Sequence, residues 1–184
     1  MKMLDRLREE TADLHRELEE ENLANKIMDH SISLEEYKLL LFQNFVAYQA
    51  AEDQISKYLK DQQNDKTDRL KKDLSNLGVT DFSYALDFFC NNEAEAIGAA
   101  YVIEGSAMGG MLIGKEINNC AALNNLPPQQ FFSGERNNIK SWNNYLKFIR
   151  SREFNDAEIK IAASKAKETF QLFQEAFKIQ FSHY

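Results

Sequence analysis

Apolar residues recur every three or four positions along most of this 184-residue chain, which is the spacing of one face of an α-helix. No segment shows the convincing alternation of apolar and polar residues that is typical of a half-buried strand. The first helix is predicted over residues 3–20, and its inward stripe comprises Leu4, Leu7, Thr11, Leu14 and Leu18. The pattern therefore predicts an all-α protein.

Capping residues and helix breakers indicate where the other helices begin and end. Ser33 and Glu36 form a capping box before a long apolar stretch, and Asn155 and Glu158 stand at the same spacing near the end of the chain. Gly78 is placed to end a helix. Helices are predicted over residues 22–29, 33–60, 65–76, 81–90, 93–123, 135–152 and 155–181, with both prolines in a loop at 124–134. No repeat or linker divides the chain, so residues 1–184 are predicted to form one domain.

Glycines are concentrated in the predicted helix at 93–123. It carries five of the chain's seven, namely Gly98, Gly105, Gly109, Gly110 and Gly114. Each glycine inside a helix costs about 1 kcal/mol relative to alanine, so a bare backbone must serve some purpose there. Gly98, Gly105 and Gly109 fall within about 40° of one another around the helix axis. Such a strip suits either close packing against another helix or a flat, bulky ligand, and glycine pairs also permit a kink.

One edge of the first helix presents Arg8, His15 and Glu19 in a row. A neutral imidazole binds iron, a carboxylate one turn away can accept the other ring N–H, and an arginine can pair with a carboxylate on a ligand. This edge suits an anionic, planar ligand that contains iron, for which heme is the most natural choice. Three solvated side chains on an exposed helix face would show the same spacing. His30, at a predicted helix end, and His183, beside the C-terminus, are weaker candidates.

Composition excludes several classes of protein. A net charge of −7 argues against general nucleic-acid binding. The N-terminus is charged and lacks the apolar core of a signal peptide, and Cys90 and Cys120 form no CxxC motif, which together predict a cytoplasmic protein. The histidines lack the Glu-x-x-His spacing of a di-iron bundle, and zinc-finger spacing is absent. Glu104, Lys115 and Glu116 interrupt the apolar run, which predicts that it is too short to span a membrane.

Two segments resemble the heme oxygenase family. Residues 7–19, LREETADLHRELE, resemble the helix that carries its proximal histidine, and residues 101–114, YVIEGSAMGGMLIG, resemble its glycine-rich distal helix. The EGS…GG form is similar to that of bacterial members, including those that supply biliverdin to bacteriophytochromes. Weaker similarity covers residues 36–48, 146–152 and 170–177, so the resemblance extends over most of the chain.

The resemblance implies a helical bundle that holds heme between the proximal and distal helices. His15 would bind the iron, and Glu19 would be its hydrogen-bonding partner. The residues implied at the reacting centre are His15, Gly105, Ser106, Gly109 and Gly110. The other residues implied to contact the heme, with the arginines on its carboxylates, are Arg8, Thr11, Tyr101, Lys147 and Arg150.

The resemblance also implies an activity and partners. The enzyme would use heme as both cofactor and substrate and cleave it with dioxygen to biliverdin, carbon monoxide and ferrous iron. Electrons would come from an external donor, a ferredoxin, a flavodoxin or a reductase, since the chain has no flavin or iron–sulfur motif. A bacteriophytochrome is one candidate acceptor of the biliverdin.

Two positions depart from the family pattern. Ser106 stands where many members have an aspartate that holds the distal water network, and Met111 stands where the EGS group tends to have a basic residue. These departures leave open a heme carrier or sensor on the same fold. A second alternative is a thiaminase-type enzyme on a related helical fold with Cys90 or Cys120 as nucleophile, although neither has a neighbouring histidine.

Overall fold

In a computed structural model of the protein, residues 2–132 and 136–181 are described, and they form a helical bundle. The α-helices are α1 (Met3–Glu20), α2 (Ala24–Met28), α3 (Leu34–Ile55), α4 (Lys66–Asn76), α5 (Glu93–Met108), α6 (Gly110–Ile117), α7 (Asn137–Arg150) and α8 (Asp156–Ala176), with a 3₁₀ turn at Ala121–Leu123. No strand occurs in this part of the chain, so the all-α prediction is confirmed. Gly134, Glu135 and His183 lie outside the described residues.

The capping boxes predicted at the N-termini of α3 and α8 are present. Ser33 accepts a hydrogen bond from the Glu36 N–H at 3.1 Å, and the Glu36 carboxylate accepts one from the Ser33 N–H at 3.0 Å. Asn155 and Glu158 form the same reciprocal pair at the start of α8. Gly78 has a φ of +86°, the left-handed conformation that a helix-ending glycine supplies. Local sequence therefore determines these boundaries.

The helix predicted at residues 81–90 is wrong, because residues 79–91 have no regular secondary structure. Between residues 81 and 90, the residues that pack against the core are Phe82, Leu86, Phe88 and Cys90, whereas Tyr84 and Phe89 are exposed. The main chain is held at Cys90, whose N–H donates to Gln54 Oε1 at 3.0 Å and whose carbonyl accepts from the Tyr58 hydroxyl at 3.0 Å. Aromatic side chains are thus buried on an existing helical surface rather than on a helix of their own.

α8 packs against both α1 and α5. Its approach to α5 is closest at Gly98, where an added Cβ would lie 2.0 Å from the carbonyl oxygen of Ala162. α1 and α5 make almost no close backbone contact with each other. A cleft therefore remains between the helix that carries His15 and the helix that carries most of the glycines.

The glycine-bearing helix is interrupted at Gly109, where α5 gives way to α6. The first backbone hydrogen bond past the interruption, from Ile113 N–H to Gly109 O, is 3.5 Å long, beyond the usual range. The single helix predicted over 93–123 is wrong in this respect. The interruption falls at the adjacent pair Gly109 and Gly110, and glycine pairs are a recognised cause of helix kinks.

Within the described residues, one helical run, the 25 residues from Glu93 to Ile117, is long and apolar enough to cross a bilayer, and its most apolar 18-residue window has a mean hydropathy of 1.4. The expectation that this run is too short is therefore wrong by length and composition. In the structure 56% of its most apolar window is buried inside the bundle, and Glu104 forms a buried ion pair there. The core helix of a globular bundle has the same properties.

Candidate functional site

The cleft between α1 and the glycine-bearing helices contains a cavity of about 460 Å³, a size typical of small-molecule and cofactor sites. Side chains from α1, α2, α3, α5, α6, α8 and the proline loop line it. The lining residues are His15, Leu18, Glu19, Asn22, Ala24, Asn25, Met28, Leu40, Asn44, Tyr48, Gly105, Ser106, Gly109, Leu112, Ile113, Phe131, Phe132, Phe173 and Phe177. Most of these side chains are apolar, and a few polar groups lie among them.

His15 and Glu19 lie together on the α1 side of the cavity, as their spacing predicts. His15 Nε2 is 3.1 Å from Glu19 Oε1, and the two side chains are 61% and 67% exposed. The His15 ring also lies 5.8 Å from the Phe170 ring of α8, measured between centroids. Glu19 contacts only Nε2 of the imidazole ring, so the other ring nitrogen, Nδ1, does not take part in this contact.

The glycines of α5 differ in what they face. Gly105 and Gly109 line the cavity with Ser106, and within 4 Å an added Cβ at Gly109 would meet only the Ser106 carbonyl oxygen, at 3.6 Å. Gly110 does not line the cavity, because it is buried with its Cβ position 3.3 Å from the Phe132 ring. Gly98 packs against α8. The strip therefore lines the cavity in one part and forms a helix–helix contact in another.

The residues implied to contact heme carboxylates do not line this cavity. Arg8 and Arg150 line a different cavity of about 710 Å³, where α1 begins and α7 ends. Thr11 is buried and donates a hydrogen bond to the Leu7 carbonyl at 2.7 Å. Lys147 is exposed and Tyr101 lies against Trp142, and neither lines the His15 cavity. Arg8 is two helical turns from His15, so shared register along α1 alone does not bring it into the same cavity.

Sequence reasoning missed Asn44 and Tyr48 of α3, which line the cavity. α3 is apolar over most of its surface, so its periodicity does not distinguish the cavity face from the core. Burial raises the pKa of Tyr48 well above its ordinary value, and the negative charges of Glu104 and Glu52 add to that shift. Tyr48 therefore presents a neutral hydroxyl at physiological pH.

The loop after the prolines contributes Phe131 and Phe132 to the cavity wall. Asp73 of α4 holds this loop in place by hydrogen bonds to its main chain. The Asp73 carboxylate accepts hydrogen bonds from the N–H groups of Gln130 and Phe131, each at 2.9 Å. Burial raises the pKa of Asp73, and these two bonds oppose the shift. This cavity wall depends on a contact between distant parts of the chain, which no local motif reveals.

Glu104, which the sequence leaves open as a contributor to the site, is tied to α4. Its Oε1 accepts a hydrogen bond from Lys66 Nζ at 2.9 Å, and the side chains are 1% and 0% exposed. The Lys66 N–H in turn donates to Glu52 Oε2 at 3.3 Å. Glu104 does not line the cavity, so its charge acts within the core beside the site.

The cysteines have the environment of core residues. Burial raises the pKa of the Cys90 thiol to about 11, and burial also raises that of Cys120. A nucleophilic cysteine needs a lowered pKa, which argues against the thiaminase-type alternative. Among the residues that the structure describes, no group of three or more His, Cys, Asp or Glu side chains is arranged to hold a metal ion.

The architecture is that of heme oxygenases. A structure from Neisseria meningitidis, described as a heme oxygenase with NO and CO bound, matches with a TM-score of 0.72 and 18% sequence identity, covering 97% of this chain and 91% of that chain. At this identity the similarity establishes the fold. The heme oxygenase family profile matches residues 1–87 and 86–179, and the chain belongs to that family. No curated protein sequence matches this chain.

Proposed function

We propose that the protein binds heme in the His15 cavity and cleaves it with dioxygen to biliverdin, carbon monoxide and ferrous iron. The observation that carries this proposal is the opposition of two features across one cavity of the heme oxygenase fold. His15, partnered by Glu19, lies on one side, and the bare backbone of Gly105 and Gly109 lies on the other. A mostly carbon-lined space between a histidine and a glycine backbone fits a flat ring that contains iron.

His15 would hold the iron. Only one ring nitrogen is needed for the contact with Glu19, so the other can bind the metal while the carboxylate fixes the tautomer and orientation of the ring. Bound heme supplies the redox chemistry, and the protein supplies the position of the ring and of its iron. Glu19 is therefore a positioning residue that acts through His15.

Gly105 and Gly109 would lie against the opposite face of the heme. Side chains at these positions would fill the space that dioxygen needs beside the iron. Ser106 and Tyr48 line the same cavity, and each offers a hydroxyl that can hold a water there. The Ser106 side chain has one uncharged hydroxyl, whereas the aspartate of many family members has two oxygens that share a negative charge. We therefore expect proton delivery to be slower in this protein than in the members with the aspartate.

Electrons would come from an external ferredoxin, flavodoxin or reductase. The net charge of −7 disfavours docking of an acidic donor over most of the surface. Arg8, Lys147 and Arg150 are exposed, and none of them forms an ion pair with any described residue, so they offer a local cationic patch. The buried, unpaired thiols of the described chain suit a reducing cytoplasm, and a bacteriophytochrome is one candidate acceptor of the product.

A heme carrier or sensor on the same fold is the second candidate. Ser106 favours it, because loss of the aspartate weakens the water network on the dioxygen side. Both candidates require His15 to bind iron, so the first experiment tests binding and the second tests turnover.

Titration with hemin tests the ligand assignment. Wild type should bind one heme with an absorption spectrum typical of histidine ligation, and His15→Ala should lose the histidine-ligated ferrous spectrum until imidazole is added. His30→Ala is the matched control, because His30 does not line the cavity. Identical spectra from His15→Ala and wild type would show that the ligand is assigned wrongly.

Turnover separates the enzyme from the carrier. With hemin, dioxygen and a reductant, and with peroxide scavenged, the heme band should disappear while a bilin band rises at longer wavelength. Ser106→Ala should slow this change if its hydroxyl holds a water. Heme that stays intact in wild type with several electron donors would support the carrier.

A further inference from the structure

The chain's single tryptophan, Trp142 of α7, lies on the glycine strip of α5. An added Cβ at Gly105 would lie 3.7 Å from Trp142 Cζ3 and 3.9 Å from its Cη2. The indole is stacked on the Tyr145 ring at 5.8 Å and lies 5.9 Å from the Tyr101 ring. Trp142 therefore covers part of the bare backbone that would otherwise face the cleft.

Residues at helical spacing form one row on α1 and one row on α5. On α1, Arg8, Thr11 and His15 are spaced by three and four residues, and on α5 the spacing from Tyr101 to Gly105 is four. Burial raises the pKa of Tyr101, and interactions with the Thr11 hydroxyl and the Arg8 charge oppose the rise, so Tyr101 lies near the arginine end of α1. The two rows thus run from an arginine end to a histidine end.

The cleft is divided between these two ends. The cavity that contains His15 includes Gly105 but not Arg8, Thr11 or Tyr101. Arg8 instead lines the second cavity, with Arg150. Trp142 lines neither cavity, but it lies on Gly105, which lines the histidine cavity, and beside Tyr101, which interacts with Thr11 and Arg8, so it lies between the two ends of the cleft.

We propose that Trp142 is a plug that a planar ligand must displace to extend from His15 to Arg8, and that it thereby sets the affinity and the rate of heme entry. This inference rests on the proposed function. A tetrapyrrole whose iron lies on His15 carries its carboxylates at one edge, and Arg8 is a cation without an ion pair among the described residues. Trp142 is only partly buried, so the indole can move toward solvent without opening the core.

Displacement of the plug has a kinetic and an equilibrium consequence. If the open arrangement is a minor population, the observed affinity is reduced by the open fraction, and the binding rate levels off at the opening rate as ligand increases. Stabilisation of the closed position of the indole by its aromatic contacts with Tyr101 and Tyr145 would lower the affinity by about fivefold.

Stopped-flow and equilibrium binding of hemin to the full chain test the plug. The observed rate should level off with hemin concentration in wild type and rise linearly in Trp142→Ala, whose dissociation constant should be about fivefold lower. Trp142→Phe should be intermediate and keeps an aromatic ring against Tyr145 if the alanine variant folds poorly. Tyr84→Ala, which removes an exposed aromatic side chain elsewhere, should match wild type.

Weaker hemin binding by Trp142→Ala, or unchanged kinetics, would overturn the proposal and make Trp142 a wall on which bound heme packs.

Incorporation of 5-fluorotryptophan gives one ¹⁹F resonance, because the chain has one tryptophan. Its shift between H₂O and D₂O should increase on addition of diamagnetic zinc protoporphyrin, and an unchanged or smaller shift would contradict displacement. If the hemin spectrum of wild type does not depend on His15, the proposed function itself fails. If it does depend on His15 and the Trp142 results are negative, only the plug fails.

Discussion

Gly98 and Gly109 lie on the same helix yet have different neighbours. The carbonyl of Ala162 occupies the place where a side chain at Gly98 would begin, and Gly109 borders the cavity. Gly98 thus permits α5 and α8 to approach, whereas Gly109 keeps the cavity open. Glycine thus permits close packing at one position and lines the cavity at another, eleven residues further along the chain.

Alanine substitutions should separate these roles. Gly98→Ala should lower the free energy of unfolding by about 1–3 kcal/mol or more, because its Cβ would overlap the Ala162 carbonyl. Gly109→Ala has an ordinary helical backbone and no steric obstacle, so it should leave stability unchanged or raise it by up to about 1 kcal/mol. Hemin affinity should fall only in Gly109→Ala among variants that remain folded. Denaturant unfolding and hemin titration measure both effects, and equal stability of the two variants would contradict this account.

At the level of elements, α4 packs against α3 and is joined to α5 by charge. Lys66 and Glu104 are both buried, and Glu104 Oε2 has no hydrogen-bond partner among the described residues. A buried pair of this kind resists the loss of one partner more than the loss of both. It therefore fixes how α4 sits beside the helix that lines the cavity.

A double-mutant cycle tests the ion pair between Lys66 and Glu104. Lys66→Met leaves the Glu104 carboxylate buried without its partner and should cost about 3–5 kcal/mol of unfolding free energy, and Glu104→Leu, which leaves the Lys66 ammonium buried without its partner, should also be destabilising. The double variant Lys66→Met with Glu104→Leu should recover most of that loss. Urea unfolding of the four proteins gives the coupling energy, and additive losses would show that the pair does not act as a unit.

The start of α3 depends on pH through Glu36. The side-chain hydrogen bond from Lys26 holds the pKa of Glu36 below its ordinary value of about 4.5, and the Ser33 N–H adds to the effect. Because the folded pKa is lowered, this stabilisation is present above about pH 4.5 and is lost as the pH falls through the lowered pKa.

Glu36→Gln isolates the charge, since glutamine can still complete the capping box. Wild type should exceed the variant in unfolding free energy by less than about 1 kcal/mol near neutral pH. The difference should vanish at low pH and shrink in high salt. Urea unfolding from pH 2 to 7 provides the measurement, and a difference that is independent of pH would be inconsistent with an ion pair to Lys26.

For the molecule as a whole, the sequence predicts what depends on local signals and misses what depends on distant contacts. The capping boxes at Ser33 and Asn155 and the His15–Glu19 spacing are local, and the structure has them as expected. The irregular segment at 79–91 does not follow from local signals, because Phe82 and Phe88 pack against the core that the helices form. Trp142 likewise reaches Gly105 only through the packing of α7 on α5, which periodicity does not reveal.

Ligand binding should stabilise the whole bundle, since the cavity draws residues from most of the helices. A ligand present at a hundredfold excess over its dissociation constant adds about 2.7 kcal/mol. For a chain of this size that corresponds to a rise in Tm of roughly 5–10 °C. Thermal unfolding with hemin should show this rise in wild type and a smaller one in His15→Ala. An equal rise in both proteins would indicate that the iron–histidine bond contributes nothing to stability.

The interruption at Gly109 divides the cavity wall into two units of unequal strength. α5 is buried along most of its length, whereas α6 is short and begins with a 3.5 Å hydrogen bond. Elements with few buried contacts and weak terminal bonds unfold locally at lower cost than the global transition. The amide protons of α6 should therefore exchange with solvent well before those of α5, so that the wall near Leu112 and Ile113 opens and closes while the rest of the bundle remains folded.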